Sequence, residues 1–172
     1  YNTSGLTGDM NGPKGAYFAL VKGAGLSQKP SAGSLGSFGH GSTAAFVFSP
    51  TRTVYYFSKI QNGKNFEYRF QGKSILQVHY DPNDNGDGGH KKYMQGSGYY
   101  GLKDDILSGL TDKQVPNWAK ELRAKATEET GTTLFVPFTN FDNNYFPETR
   151  ISVIANFFYA IYTGNLEVEI DG

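Results

Sequence analysis

Leu35-Gly36-Ser37-Phe38-Gly39-His40-Gly41-Ser42-Thr43-Ala44-Ala45-Phe46-Val47-Phe48-Ser49, followed two residues later by Arg52-Thr53-Val54-Tyr55-Tyr56-Phe57-Ser58-Lys59, joins a glycine-rich turn to a small-residue helix and then to a strand. Glycines let successive backbone N–H groups converge without obstruction from Cβ atoms. A helix that starts there adds unpaired donors and the positive end of its dipole. Phosphate is the natural guest of such a turn. The spacing Gly36-x-x-Gly39-x-Gly41 also serves tight packing, so its surroundings have to discriminate. A Walker loop would carry Gly-Lys-Ser/Thr, whereas Gly41 is followed directly by Ser42-Thr43. A dinucleotide-binding loop follows a buried parallel strand, whereas residues 27–35 are polar. Neither of the commoner nucleotide motifs is present.

Working outward, Ala16 to Lys22 suits a short helix, and the Gly-, Ser-, Pro- and Lys-rich residues up to Ser34 suit a lid-like loop. Ser42 to Phe48 is expected as a buried helix stopped by Ser49-Pro50. Arg52–Ser58, Asn65–Phe70 and Ser74–Tyr80 are β-rich, with Asn62-Gly63 as a hairpin signal, and predict a three-stranded antiparallel meander. Asp81 to Gly101 is turn-rich, with a short strand expected near Lys92–Gln95. Pro116 opens a helix whose apolar stripe is Trp118, Leu122 and Ala126, closed by Gly131. Thr132–Phe138 follows as a strand. Ile151, Ile154, Phe158, Ile161 and Tyr162 fall on one helical stripe ending at Gly164, and Leu166–Ile170 reads as a last strand. The sum is an α/β (α+β) two-layer sandwich, a largely antiparallel mixed sheet with helices on one face.

The 172 residues suit one domain spanning 1–172, with no internal repeat. Sixteen basic residues balance sixteen acidic ones, so no overall field attracts nucleic acid or an anionic membrane. Without cysteine there is neither a disulfide framework nor a thiolate metal site, and three scattered histidines are a poor start for zinc. No apolar run approaches the ~18 residues of a membrane span, and the first residues carry no secretion pattern. These features predict a cytoplasmic protein. Because Tyr1 opens straight into turn chemistry, the chain is expected to be part of a longer polypeptide.

The segment from Leu35 to Lys59 closely resembles the second glycine box of the GHKL ATPases, the superfamily of DNA gyrase B, MutL, the MORC proteins and a heat-shock chaperone. There, as here, a lid precedes the box, and a helix and a hairpin follow it. Asn2-Thr3-Ser4-Gly5-Leu6-Thr7-Gly8 resembles the first glycine box from just after its adenine-reading aspartate. Gly131-Thr132-Thr133 resembles the late Gly-Thr whose threonine supports the same adenine contact. Tyr99-Tyr100-Gly101 and Asn156 to Ala160 are similar to segments of bacterial members. The resemblance covers nearly the whole chain and implies a Bergerat-type fold with ATP and magnesium as ligands. It implies phosphate contacts from Gly36, Ser37, Phe38, Gly39, His40, Gly41 and Ser42 and an adenine and ribose side at Asn2, Thr3, Gly5 and Thr132; Lys29 in the lid-like loop is a candidate substitute for the phosphate cation that Ser42 does not supply. It further implies conformational change or homodimerisation around the nucleotide.

Departures from the family pattern bear on activity. Its catalytic glutamate and magnesium-binding asparagine lie on a helix upstream of the first box, before the start of this sequence. Asn2 stands at the first glycine, a backbone position that asparagine tolerates. Ser42 stands where many bacterial members carry lysine. Hydrolysis needs a base, a metal ion and donors to the γ-phosphate, and residues 1–172 match only the donors. ATP hydrolysis is therefore expected of a full-length protein, and at most weak, non-hydrolytic binding of this stretch.

Other features have simpler explanations. Asp81-Pro82-Asn83-Asp84-Asn85-Gly86 resembles half of a calcium loop, but Lys92 occupies the place of the bidentate glutamate, which favours a solvated turn. His79 and His90 are expected at the surface, while His40 could face a phosphate. Tyr55-Tyr56-Phe57 and Phe157-Phe158-Tyr159 are expected in the core. Lys120, Arg123 and Lys125, interleaved with Glu121, Glu128 and Glu129, predict a solvated mixed-charge helix face. The alternative to the ATPase is a non-enzymatic β-rich module whose Gly- and Asn-rich loops hold carbohydrate or calcium.

Overall fold

A computed structural model of the chain describes residues 3–23, 41–84, 91–105, 107–126, 129–140, 142 and 144–170, with backbone alone at 41, 42 and 126. It divides into two compact units, Tyr1–Phe138 and Thr139–Gly172. The described chain is mixed α/β, built on an antiparallel sheet.

In the first unit the sheet is organised by β1 (Thr53–Asn62) and β2 (Asn65–Ile75), which pair from Thr53↔Ser74 to Asn62↔Asn65. The expected Asn62-Gly63 hairpin is present. Gly63 takes φ +62° at the first of two turn positions, as the right-handed twist of a tight hairpin requires. The other edge of β1 receives β7 (Gly131–Phe135), with Ser58↔Thr132 and Tyr56↔Leu134 in register. β5 (Ser97–Tyr100) and β6 (Leu110–Thr111) pair successively along the outer edge of β2. Apart from this sheet, β3 (His79–Tyr80) and β4 (Tyr93–Met94) form a two-stranded ribbon, with β4 inside the expected 92–95 window.

The β-branched and aromatic residues of β1 do not alternate with polar ones, and both faces of the strand are buried. On the first face Val54 and Tyr56 pack with Leu6, Met10, Tyr17, Val21 and Phe46. These come from the N-terminal segment, a π-helical turn at Phe18–Lys22 inside the expected early helix, and α1 (Gly41–Val47). On the second face Phe57 packs with Phe70, Leu110, Val115 and Ala119, the last from α2 (Asn117–Ala126). Helical segments thus cover both faces of the sheet, which corrects the expectation of one. A strand reading Val-Tyr-Tyr-Phe has apolar side chains to bury on each side.

Other expectations also change. β2 runs through Gln71-Gly72 to Ile75, so the third strand expected at Ser74–Tyr80 does not exist; its start closes β2 and its end enters the ribbon. α1 ends at Val47 and buries Phe46, whereas Val47 and the following Phe48 are exposed. The buried positions of α2 are Ala119 and Arg123, while Trp118 and Leu122 are half-exposed at 43% and 47%. The helix is rotated from the expected stripe because the small Ala119 lets it approach the sheet closely. Gly131 opens β7 rather than ending α2, and β7 stops before Pro137.

The second unit is α3 (Tyr145–Tyr162), which carries the expected apolar stripe. Gly164 takes φ +73° beyond its end, and the N–H groups of Asn165 and Leu166 both reach the Ala160 carbonyl, at 2.9 and 3.1 Å. α3 has no buried residue, so Phe157, Phe158 and Tyr159 are exposed rather than in a core. Residues 166–170 are not a strand.

Candidate functional site on the first face of the sheet

Of the residues expected to contact a nucleotide, Asn2, Lys29 and Gly36 to His40 lie outside the described residues. Gly41 and Ser42 open α1. Thr3, Gly5 and Thr132 are described, and two of them meet through a residue that the sequence did not single out, Ser58.

Ser58 lies at the centre of β1 and is buried, 1% exposed. Its Oγ accepts the N–H of Leu6 at 2.7 Å. The same hydroxyl donates to the Gly131 carbonyl at 3.3 Å and lies 3.3 Å from the Thr132 hydroxyl, which can donate to it. One proton arrangement therefore satisfies every donor and acceptor. Gly5, at φ +69°, lies so close that a Cβ there would come within 2.8 Å of the Lys59 carbonyl. Only glycine fits that backbone angle against that strand. Thr3 is exposed, and its Oγ1 accepts the Gly5 N–H at 3.4 Å.

The N-terminal segment is held on the sheet by Arg69 of β2. Its Nη1 donates to the carbonyls of Leu6, at 3.1 Å, and Gly8, while its Nε pairs with Glu67 at 2.6 Å. Further along, the Tyr17 hydroxyl donates to Gln71 at 3.0 Å, and Gln71 donates to the Leu107 carbonyl at 2.9 Å. Burial raises the pKa of the Tyr17 phenol, partly opposed by the Arg69 charge. Tyr56 is pushed up to about 12, first by burial and then by Tyr99, and its hydroxyl has no hydrogen-bond partner among the described residues. Lys22 is shifted down by burial, against the opposing pull of Asp105 and Asp9. α1, which begins at Gly41, contributes Phe46 to the apolar cluster that holds Leu6. α1 and the N-terminal glycine segment therefore pack on one face of the sheet, with Thr132 of β7 on that face too.

Elsewhere, the Asp81 carboxylate accepts the Asn83 N–H at 2.9 Å, and Asp84 accepts that of Lys92. The described part of the acidic loop thus spends acceptors on its own backbone. His79 is exposed, with Nδ1 3.0 Å from the Gln77 carbonyl. Among the described residues no group of three or more His, Asp or Glu is placed to hold a metal ion, and no helix is long and apolar enough to cross a membrane. Arg123, expected on a solvated helix face, is 3% exposed against the second face of the sheet.

Compared with known protein families, curated proteins and solved structures, the chain shows no match.

Proposed function

We propose that residues 1–172 form the lid, phosphate-binding and C-terminal parts of a GHKL-type, Bergerat-fold ATP-binding domain. In a full-length protein it would bind ATP with magnesium and change conformation or dimerise around them. One observation carries the proposal. The N-terminal glycine segment and the late Gly131-Thr132, far apart in sequence, meet on one buried hydroxyl, Ser58. In the family these two segments serve the same adenine contact, so their convergence supports an adenine side built from Gly5, Ser58 and Thr132. α1 contributes Phe46 to that face and starts at Gly41, which supports a phosphate cradle on the same side of the sheet as the proposed adenine residues.

The described residues fit the adenine end of such a site. For magnesium they offer no cluster of acidic ligands, so the ion would be held mainly by phosphate oxygens and water. ATP would supply the phosphates and base around which the full-length protein would change conformation or dimerise. The chain's contribution is to orient the base through Thr132 and to present backbone donors from residues 36–41 to the phosphates. The helix on the second face of the sheet is a departure from the one-faced sandwich.

Calorimetric titration with magnesium-ATP tests the proposal. Weak, saturable binding by the wild type should fall at least about tenfold in Gly39→Ala, whose added Cβ would obstruct the N–H groups of the proposed phosphate cradle. Equally tight binding by both proteins would overturn it.

A further inference from the structure

The first face of the sheet carries further polar side chains beyond Ser58. β1 and β2 are in register at Val54↔Lys73, Tyr56↔Gln71 and Ser58↔Arg69, and β2 and β5 at Lys73↔Tyr99. Side chains alternate between faces along a strand, so Lys73 shares the face of Val54, Tyr56 and Ser58. It stands directly opposite Tyr99 and diagonal to Tyr56, a separation that long side chains bridge. Its ammonium lies 5.9 Å from the centre of the Tyr99 ring.

Lys73 and Tyr56 both have unmet polar groups. Lys73 is half-buried, and burial holds its pKa below the ordinary lysine value. Among the described residues no carboxylate offsets that cost: Glu67, further back on the same face of β2, is paired with Arg69. The Tyr56 hydroxyl is buried and has no hydrogen-bond partner among the described residues, whereas the Tyr17 hydroxyl on this face is matched to Gln71. Tyr99, part-buried, is close enough to Tyr56 to add to the upward shift that burial gives its phenol. A water molecule would satisfy the hydroxyl but leave the ammonium without a counter-charge. An anionic oxygen accepting from both meets the two needs at once. Exposure falls from Lys73 to Tyr56, so a ligand would enter past the ammonium and meet the hydroxyl last.

The place of Lys73 relative to Ser58 selects the anion. Arg69 is the cross-strand partner of Ser58, and at the rise of a strand Lys73 lies about 13 Å further along β2. A nucleotide with its base at Ser58 and Thr132 and its phosphates extended along β2 reaches that far. Resting on the nucleotide reading, we propose that Lys73 is the phosphate cation of the site and that its ammonium and the Tyr56 hydroxyl donate to oxygens of the phosphate chain. Lys73 then supplies the charge that Ser42 does not.

The test uses the whole chain with inorganic tripolyphosphate as the phosphate probe and adenosine as the base probe, each followed by calorimetry. The wild type should bind tripolyphosphate, and Lys73→Gln should lose about tenfold in affinity. Tyr56→Phe, which removes only an unpartnered oxygen, should lose about two- to tenfold. Neither variant should lower the unfolding midpoint. Lys64→Gln removes an exposed lysine from the turn between β1 and β2 and should bind tripolyphosphate like the wild type. Adenosine should bind the wild type and the variants alike. Absence of tripolyphosphate binding, binding that Lys73→Gln or Tyr56→Phe leaves intact, or an equal loss in Lys64→Gln would each overturn the proposal. Failure of adenosine to bind, with tripolyphosphate still held through Lys73, would instead remove the adenine side and leave Lys73 as a phosphate ligand.

Discussion

Gly72 lies inside β2, where a Cβ would meet Cε1 of Tyr55 at 2.7 Å and Cβ of Tyr100 at 2.9 Å. The Tyr55 ring cannot yield easily, since it stacks on Phe70 at 5.6 Å and meets Trp118 edge-on at 5.7 Å. Gly72→Ala should therefore cost about 1–3 kcal/mol by overpacking, read as a lowered denaturant midpoint; a neutral result would mean that the aromatic cluster is looser than its geometry. At Ser58, replacement by alanine leaves the buried Leu6 N–H without its acceptor and should cost a similar ~1–3 kcal/mol. Tyr56 makes stability depend on alkaline pH. Its phenol is pushed up to about 12 in the folded chain against an ordinary 10, so the native state keeps a proton that the unfolded state gives up. The contribution is fully present below pH 10 and falls as pH rises from about 10 through 12. Unfolding midpoints at pH 9 and pH 11.5 should drop less in Tyr56→Phe than in the wild type, and an equal drop would assign the alkaline sensitivity elsewhere, with Tyr17 the next group to substitute.

The position of α2 shows what sequence periodicity can and cannot convey. Its helical character was legible from Pro116 and from apolar residues at four-residue spacing, but the buried positions are Ala119 and the charged Arg123 rather than the apolar series Trp118, Leu122 and Ala126. The choice between them is tertiary. Ala119 fits flush against Phe57 and Phe70, and Arg123 is drawn inward by Thr133 and the Glu129 carbonyl, partners that sequence reading cannot place beside it. Trp118 still touches the core by its edge, 5.6 Å from both Phe70 and Phe135. Ala119→Leu should therefore destabilise by about 1–3 kcal/mol, while Leu122→Ser should stay within about 1 kcal/mol; the reverse order would restore the helix face expected from sequence. The same limit applies to β2, where Gln71-Gly72 looks like a break until the Tyr55 ring above it is known. It applies also to Ser58, a serine in an apolar strand that becomes a junction only when β7 and the N-terminal segment are laid beside it. The Asn62-Gly63 turn and the Gly164 cap were legible because each is settled by residues within a few positions.

Every residue of the two apolar clusters lies between Leu6 and Val136, inside the first unit, Tyr1–Phe138. That unit has a core on each side of its sheet and closes its own polar contacts around Ser58, Arg69 and Arg123. The second unit has one helix without a buried residue, with Ile154, Ile161, Val168 and Ile170 lining a separate cavity. Thirty-odd residues with so little internal burial fall below the size at which a single core sustains a fold. A chain ending at Phe138 should therefore keep the near-ultraviolet circular dichroism of the Trp118 cluster and unfold in one cooperative transition, within about 1 kcal/mol of the whole chain's stability. Residues 139–172 alone should show helix content that rises with added trifluoroethanol but no cooperative transition. Loss of the cooperative transition in the shortened chain would mean that α3 belongs to the stability of the sheet, and the two units would then have to be treated as one folding body.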